Sequence, residues 1–341
     1  MRLNCSPTAK GFREKLSDHT KFSMGLTTLI RRYGTFLGFL LIIAFFWSQR
    51  PETFMTARNW LNITQQVSIL CVVAFTMTLV MVGGDFDLSV GSMASLSGIL
   101  AAVLWQQGVE LSASLAAAVG IGLLGGLFNG LLVAYAGLSA FVATLGTLTL
   151  FSGMALFISD GKTIFGRAIP AAVGVFSRGG WALTDALTLP NLTLIALLTF
   201  LVIDVVLRRT VYGRVLYAVG GNREASLLAG VPVARLRLWA FVINGAGAAI
   251  AGLMLVSRLS SANPTQGDGL MLNAIASVFV GMTMSEEGEP NLFGTLTGVL
   301  ILGVLSNGLT QLRVDTYVQQ ILTGLIIIGA VLFSRLSQRH S

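Results

Sequence analysis

Apolar residues gather into long blocks separated by short polar or glycine-containing breaks, with almost no alternation of the kind a half-buried strand needs. The blocks run at about 33–47, 66–82, 88–105, 111–135, 140–158, 187–207, 238–256, 270–282, 292–309 and 317–333. Several approach the roughly 20 residues that one bilayer crossing requires. In lipid each backbone N–H and C=O must be satisfied internally, so blocks of this kind predict helices. The pattern predicts an all-α, polytopic transmembrane bundle of about ten spans. The run 270–282 is the weakest and is expected to be broken or re-entrant.

Composition agrees with this reading. Of 341 residues, 54% are apolar and 11% charged, against roughly 45–50% and about 25% in soluble domains. The 39 glycines also suit membrane helices, which use Gly more than soluble ones do. A net charge of +7 reads as topology and gives no sign of nucleic-acid binding. The tail 1–32 holds seven Lys/Arg, and the loop 208–237 holds Arg208, Arg209, Arg214, Arg223, Arg235 and Arg237. With Arg335 and Arg339, fifteen basic residues fall on one side of a ten-span threading. Seven (Arg50, Arg58, Lys162, Arg167, Arg178, Arg258 and Arg313) fall on the other. The positive-inside rule therefore predicts cytosolic termini. The expected organisation is a cytosolic tail 1–32, a transmembrane domain 33–334 and a cytosolic tail 335–341.

Several chemistries are excluded by what the chain lacks. No polar segment is long enough to bury a catalytic core. There is no G-x-x-x-x-G-K-[ST] and no H-E-x-x-H, and the two histidines, His19 and His340, lie in the tails. ATP hydrolysis by a P-loop, histidine catalysis and metal ligation within the membrane are thus not expected of this chain. No cofactor is expected either. Cys5 and Cys71 are the two cysteines. They fall on opposite sides of the first span and predict no disulfide.

Polar residues inside apolar blocks are costly to bury, which makes them candidates for function. Asp85, Asp87 and Ser89 stand where the second block gives way to the third. Helix capping, with Asp87 as N-cap, and a place in a substrate path or gate both account for them. Asn129, Asn244 and Asn307 lie inside three other blocks. Hydrogen bonding between helices or contact with a hydroxyl-rich neutral solute explains each, since amides donate and accept. Asn129 lies within Gly122-x-x-x-Gly126-x-x-x-Gly130, a small-residue face for close helix approach. Asp204 and Arg208 are spaced as an i,i+4 pair at a span end.

The loop 208–237 carries the most specific pattern. Residues 214–219 suit a short helix stopping at Gly220-Gly221, Asn222 suits an N-cap, and Glu224 suits the first turn of a second helix. Gly230 and Pro232 close it. Two short helices of this kind make a docking knob, or a plain interfacial loop.

"GRVLYAVGGNREASLLAGV" resembles the coupling-loop motif of ABC-importer permeases of the ribose/arabinose/xylose type. "GGDFDLSVGS" at 83–92, "FVATLGTLTLFSGMALFISDGKTI" at 141–164 and the C-terminal block beginning "GTLTGVLILGVLSNG" are similar to further segments of that family, in the same order. The resemblance covers roughly 57–332. It implies a ten-span, type II importer-like permease of the bacterial inner membrane, without enzymatic activity of its own. Its implied partners are a separate ABC ATPase, a periplasmic sugar-binding protein and a second permease, identical or homologous. Coupling would fall to Gly213, Arg214, Ala218, Gly220, Gly221, Asn222, Glu224, Ala225, Ala229 and Gly230. A monosaccharide is the implied solute. One departure from the family pattern is the acidic stretch 284–291, read as a solvated loop or an additional ATPase contact. The competing reading is an ion-coupled secondary carrier of a small neutral solute. It needs intramembrane coupling groups, for which only Asp85, Asp87 and Asp204 come close.

Overall fold

A computed structural model of the chain describes residues 34–184, 187–285 and 288–338. The predicted N-terminal tail, with Cys5 and His19, lies outside the described residues, as do Glu286, Glu287 and His340. Each of the ten apolar blocks contains most of one helix or lies within one: α1 Gly34–Gln49, α3 Ala57–Val82, α4 Val90–Gln106, α5 Leu111–Ala134, α6 Ala140–Ile158, α8 Asn191–Arg209, α11 Val233–Leu259, α12 Leu270–Met282, α13 Leu292–Gln311 and α14 Thr316–Gln338. Shorter helices are α2 Pro51–Phe54, α7 Ala171–Arg178, α9 Val211–Gly221 and α10 Arg223–Leu228. Among the described residues six helices (α3, α5, α6, α8, α11 and α13) are long and apolar enough to cross a membrane, while α1, α4 and α12 are apolar but shorter.

Three expectations need correction. The chain is mostly helical but not wholly so. Ile164–Phe165 (β1) pairs antiparallel with Ser261–Ala262 (β4), and Gly180–Thr184 (β2) pairs with Leu187–Pro190 (β3). The residues 187–190, read as the start of a span, thus form a strand, because the extended Pro190 holds them outside α8. Secondly, α3 begins nine residues before its apolar block. Thr56 caps it by accepting from Asn59 N–H, and the Asn59 side chain donates to the Phe54 carbonyl. Thirdly, the loop read as 208–237 spans only 210–232, since α8 continues to Arg209 and α11 starts at Val233.

At the centre α11 packs on α5, α4 and α3, with α12 and α13 against α3 on one side and α8 on another. The seam between α5 and α11 is made of glycine. A Cβ at Gly122 would stand 2.5 Å from the Gly245 carbonyl oxygen, and Gly126 lies against Phe241 and Val242. The predicted small-residue face is thus the surface on which α11 rests. Near the other end of α11 the chain leaves helical form at 263–269. This segment is packed on α4, where Ser95 Oγ accepts from the Gly267 N–H (2.9 Å). Helix α12 begins immediately afterwards, at Leu270.

Candidate functional site

At the C-terminal end of α3 the chain makes a tight turn, 83–89, before α4. Gly84 has φ +80°, a conformation in which L side chains are strained. The turn presents Asp85 and Asp87 inward from two successive odd positions, with Phe86 pointing away to stack on Phe279.

Asp85 is held by a residue that the sequence reading counted in the cytosolic loop 208–237. Arg237, in the second turn of α11, donates from Nε and Nη2 to the two carboxylate oxygens of Asp85, each at 2.5 Å. Its Nη1 donates to the Val133 carbonyl near the end of α5 (3.2 Å). The side chains of Arg237 and Asp85 are 4% and 10% exposed, which makes this a buried, bidentate ion pair of the strong kind. The signal available in sequence was that Arg237 lies five residues beyond Pro232 and directly adjoins the apolar block 238–256.

Asp87 is 1% exposed, and its hydrogen-bond partners are neutral. Its Oδ1 accepts from the Ser89 N–H (2.9 Å) and hydroxyl (2.7 Å), and from Asn129 Nδ2 at 3.5 Å. Oδ2 accepts from Asn244 Nδ2 (2.9 Å). Asn129 Nδ2 also donates to Ser89 Oγ (2.8 Å). Asp87 does not occupy the N-cap position of α4. Ser89 does, without a side-chain cap bond, and Asp87 forms an Asx-type turn ahead of it. The cluster therefore joins the turn to α5 through Asn129 and to α11 through Asn244. The amide oxygens of both asparagines are buried without a hydrogen-bond partner.

Four of the polar candidates, Asp87, Ser89, Asn129 and Asn244, thus converge, with Asp85 beside them. Asn307 does not join them. It is half-buried on α13, where its Oδ1 accepts from Gln311 (3.0 Å). Asp204 and Arg208 form the expected i,i+4 ion pair (3.0 Å), and Arg208 also lies over the Phe293 ring.

The surface loop folds into the two predicted helices. Thr210 caps α9 by accepting from Gly213 N–H, and Asn222 caps α10 by accepting from Ala225 N–H (2.9 Å). Along α9, Gly213, Leu216 and Val219 are buried, while Arg214, Ala218 and Gly221 face outward. Gly213 lies against the Leu207 carbonyl. Asn222, Glu224, Ala225, Ala229 and Gly230 are all exposed, and Leu228 at the tip is 91% exposed. Gly230 has φ +80°, the left-handed geometry a glycine takes after a helix.

The base of the knob is fastened by two phenols. Tyr212 Oη donates to the Leu236 carbonyl (2.9 Å) and Tyr217 Oη to the Pro290 carbonyl (3.0 Å). Burial raises both pKa values above the ordinary tyrosine value, and for Tyr217 the charge of Glu289 adds to the rise. Part of the acidic stretch 284–291 therefore packs on α9, and Asn291 caps α13.

Beside the turn lies an open cleft of about 420 Å³, lined by Gly84, Asp85, Phe86, Ser139, Arg223 and Arg237 among others. At the opposite end of the bundle a second cleft of about 540 Å³ is lined by Arg167, Arg178 and Ser260. No group of three or more His, Cys, Asp or Glu placed to hold a metal occurs among the described residues.

The chain matches known proteins over most of its length. Residues 59–331 match the family described as "Branched-chain amino acid transport system / permease component". The ribose import permease protein of Bacillus subtilis is 37% identical over 307 residues, covering 90% of this chain and 94% of that protein. The D-allose transport system permease protein of Escherichia coli K12 is 35% identical over 308 residues, 89% of this chain and 92% of that protein. A probable ABC transporter permease protein of the same strain is 33% identical over 323 residues, 94% of this chain and 95% of that protein. No solved structure matches the chain significantly. A helical bundle of apolar spans, a glycine seam and a family match from 59 to 331 lead to one conclusion: the chain belongs to this family of transport-system permeases, and is a multi-pass membrane subunit.

Proposed function

We propose that the chain forms the translocation path of an ATP-driven importer for a monosaccharide, a pentose, hexose or related polyol. The observation that carries this reading is the end-to-end similarity to proteins named as ribose and allose permeases, joined to an exposed two-helix knob on the loop that resembles a coupling loop. In this reading the chain crosses the bacterial inner membrane ten times with both termini cytosolic. The outward residues Arg214, Ala218, Gly221, Asn222, Glu224, Ala225, Ala229 and Gly230 meet a separate ABC ATPase, with Leu228 entering its surface. Gly213 and Gly220 serve the same loop from its inner face.

A second copy, or a homologous permease, covers the outward face of α6. There Phe141, Val142, Leu145, Leu150 and Phe157 are exposed, together with Gly146, Thr149 and Gly153. Small and polar groups on an outward membrane face favour a helix partner or a wet path over lipid. At the end away from the knob, the cleft with Arg167 and Arg178 and the exposed Phe165 and Trp181 suit a periplasmic binding protein that delivers the sugar. The cluster of Asp87, Ser89, Asn129 and Asn244 is the inner gate: its partners are neutral amides and a hydroxyl, which suit a neutral, hydroxyl-rich solute. Asp85 supports that gate, and Asn307 stands outside it.

The test is purification in mild detergent with identification of co-purifying chains, followed by ATP-dependent uptake of labelled ribose and allose in proteoliposomes. An ATPase in fixed ratio and saturable uptake support the importer. Uptake driven by an ion gradient, with no ATPase retained, would transfer the function to a secondary carrier.

A further inference from the structure

The geometry points to the turn 83–89 as the element that carries movement of the surface loop to the buried polar cluster, with the Asp85–Arg237 ion pair as its strut. This inference rests on reading the chain as an ATP-driven permease. It names Gly220, Asp85 and Arg237 as positioning residues in its coupling.

Four contacts form a continuous chain. The last residues of α9 lie on the turn: Gly220 sits so close to the Val82 carbonyl that no Cβ fits between them, and its Cα is 3.7 Å from where a Cβ of Gly84 would stand. One turn earlier, Leu216 Cδ1 is 3.2 Å from the corresponding position at Gly83. Asp85, the residue after Gly84, is gripped through both oxygens by Arg237 of α11, which also holds the Val133 carbonyl of α5. Two residues further, Asp87 takes hydrogen bonds from Asn129 of α5 and Asn244 of α11.

The loop therefore reaches the cluster by two routes. One passes through the Gly220 contact with the turn. The other is covalent, through Pro232 into α11, on which Arg237 and Asn244 lie seven residues apart. A displacement of the knob that reached only one route would shear the cluster. The ion pair ties the turn to α11, so both routes move as one body.

Two further features favour this role over plain stabilisation. A buried ion pair often holds helices together no better than an apolar pair of similar bulk, whereas the bidentate geometry of this one sets the orientation of the turn on α11. The cleft of about 420 Å³ also lies against the turn, bordered by Gly84, Asp85 and Arg237, so the turn has room to move. Gly83 and Gly84 supply the hinge, with no Cβ to obstruct it.

The experiment is solute uptake per ATP hydrolysed, measured on the purified permease–ATPase complex in proteoliposomes. Three samples are compared: wild type, Gly220→Ala, and the paired replacement Asp85→Leu with Arg237→Met, which leaves no unmatched charge. The expected result is a fall of at least tenfold in uptake per ATP for both variants, with the ATPase still bound. Uptake per ATP within twofold of wild type in both would overturn the relay and leave the importer reading intact. Should the paired replacement not assemble, Gly220→Ala decides the matter, since it leaves the ion pair untouched. A wild-type chain that binds no ATPase overturns the importer reading itself, and the relay with it.

Discussion

Asn244 donates to Asp87 across 157 residues of sequence, at 2.9 Å and with both side chains buried. That bond ties the central helix to the turn between α3 and α4. Replacing Asn244 by Leu removes the donor and leaves a buried carboxylate oxygen without it. A cost of about 1–3 kcal/mol, or more for a charged group, follows. We expect Asn244→Leu to lower the thermal midpoint in detergent clearly, and Asp87→Asn, which keeps the shape and removes the charge, to lower it less. Equal losses would overturn this expectation and show that the charge of Asp87 matters to the arrangement as much as the Asn244 donor does.

The glycine seam predicts a sharp positional contrast. At Gly126 a side chain would run into the backbone of Phe241 and Val242, whereas at Gly146 nothing lies within 4 Å. Gly126→Val is expected to abolish recovery of folded protein. Gly146→Ala is expected to be neutral or stabilising by up to about 1 kcal/mol, from helix propensity alone. Size-exclusion profiles of the two variants check this, and similar behaviour from both would argue against close packing of α5 on α11.

Docking at the knob is expected to fail when its tip becomes charged. Leu228 is 91% exposed and Gly221 has open space around it, so neither residue supports the fold. Leu228→Glu is expected to prevent retention of the ATPase on purification while membrane insertion continues. Gly221→Pro is expected to leave insertion intact and separate ATP hydrolysis from uptake. Normal uptake by Gly221→Pro would remove this loop from the coupling mechanism.

The two phenols at the base of the knob make stability depend on alkaline pH. Because the folded protein raises the pKa of Tyr212 and Tyr217, their contribution is complete below the unfolded value of about 10. It is lost as pH rises through the folded values. A fall in the thermal midpoint above about pH 10 is expected, and it should be shallower in Tyr212→Phe with Tyr217→Phe. At neutral pH each single change should cost about 0.5–1.5 kcal/mol, the worth of one hydrogen bond. An unchanged alkaline slope would mean that both phenols are solvated.

The helices were legible in the sequence because lipid-facing and core-facing positions are both apolar, so whole spans appear as blocks. Two caps of the knob, Asn222 and Gly230, were legible for a different reason, since they act through local backbone geometry, whereas α9 runs through the expected stop at Gly220-Gly221 and its N-cap Thr210 was missed. Arg237 was misplaced because charge counting treats any arginine near a loop as solvated, and its partner lies 152 residues away. The β2–β3 hairpin was missed because Leu187–Pro190 has the same apolar character as the helix that follows. Asn307 and Asn244 looked alike in sequence, and only the packing of α11 against α5 separates them. The two short helices of the surface loop were thus visible beforehand, while the convergence of Asp85, Asp87, Asn129 and Asn244 needed three-dimensional neighbours.

The distance along the chain between Asp85 and Arg237 sets an order of events in biosynthesis. At about 5–20 residues per second, the ribosome needs roughly 8–30 s to make the stretch between them. Throughout that interval the carboxylate has no guanidinium, and a lone charge is expensive in lipid. Helices α3 and α4, which flank the turn, therefore lack the partner of its carboxylate until the helix bearing Arg237 has been made.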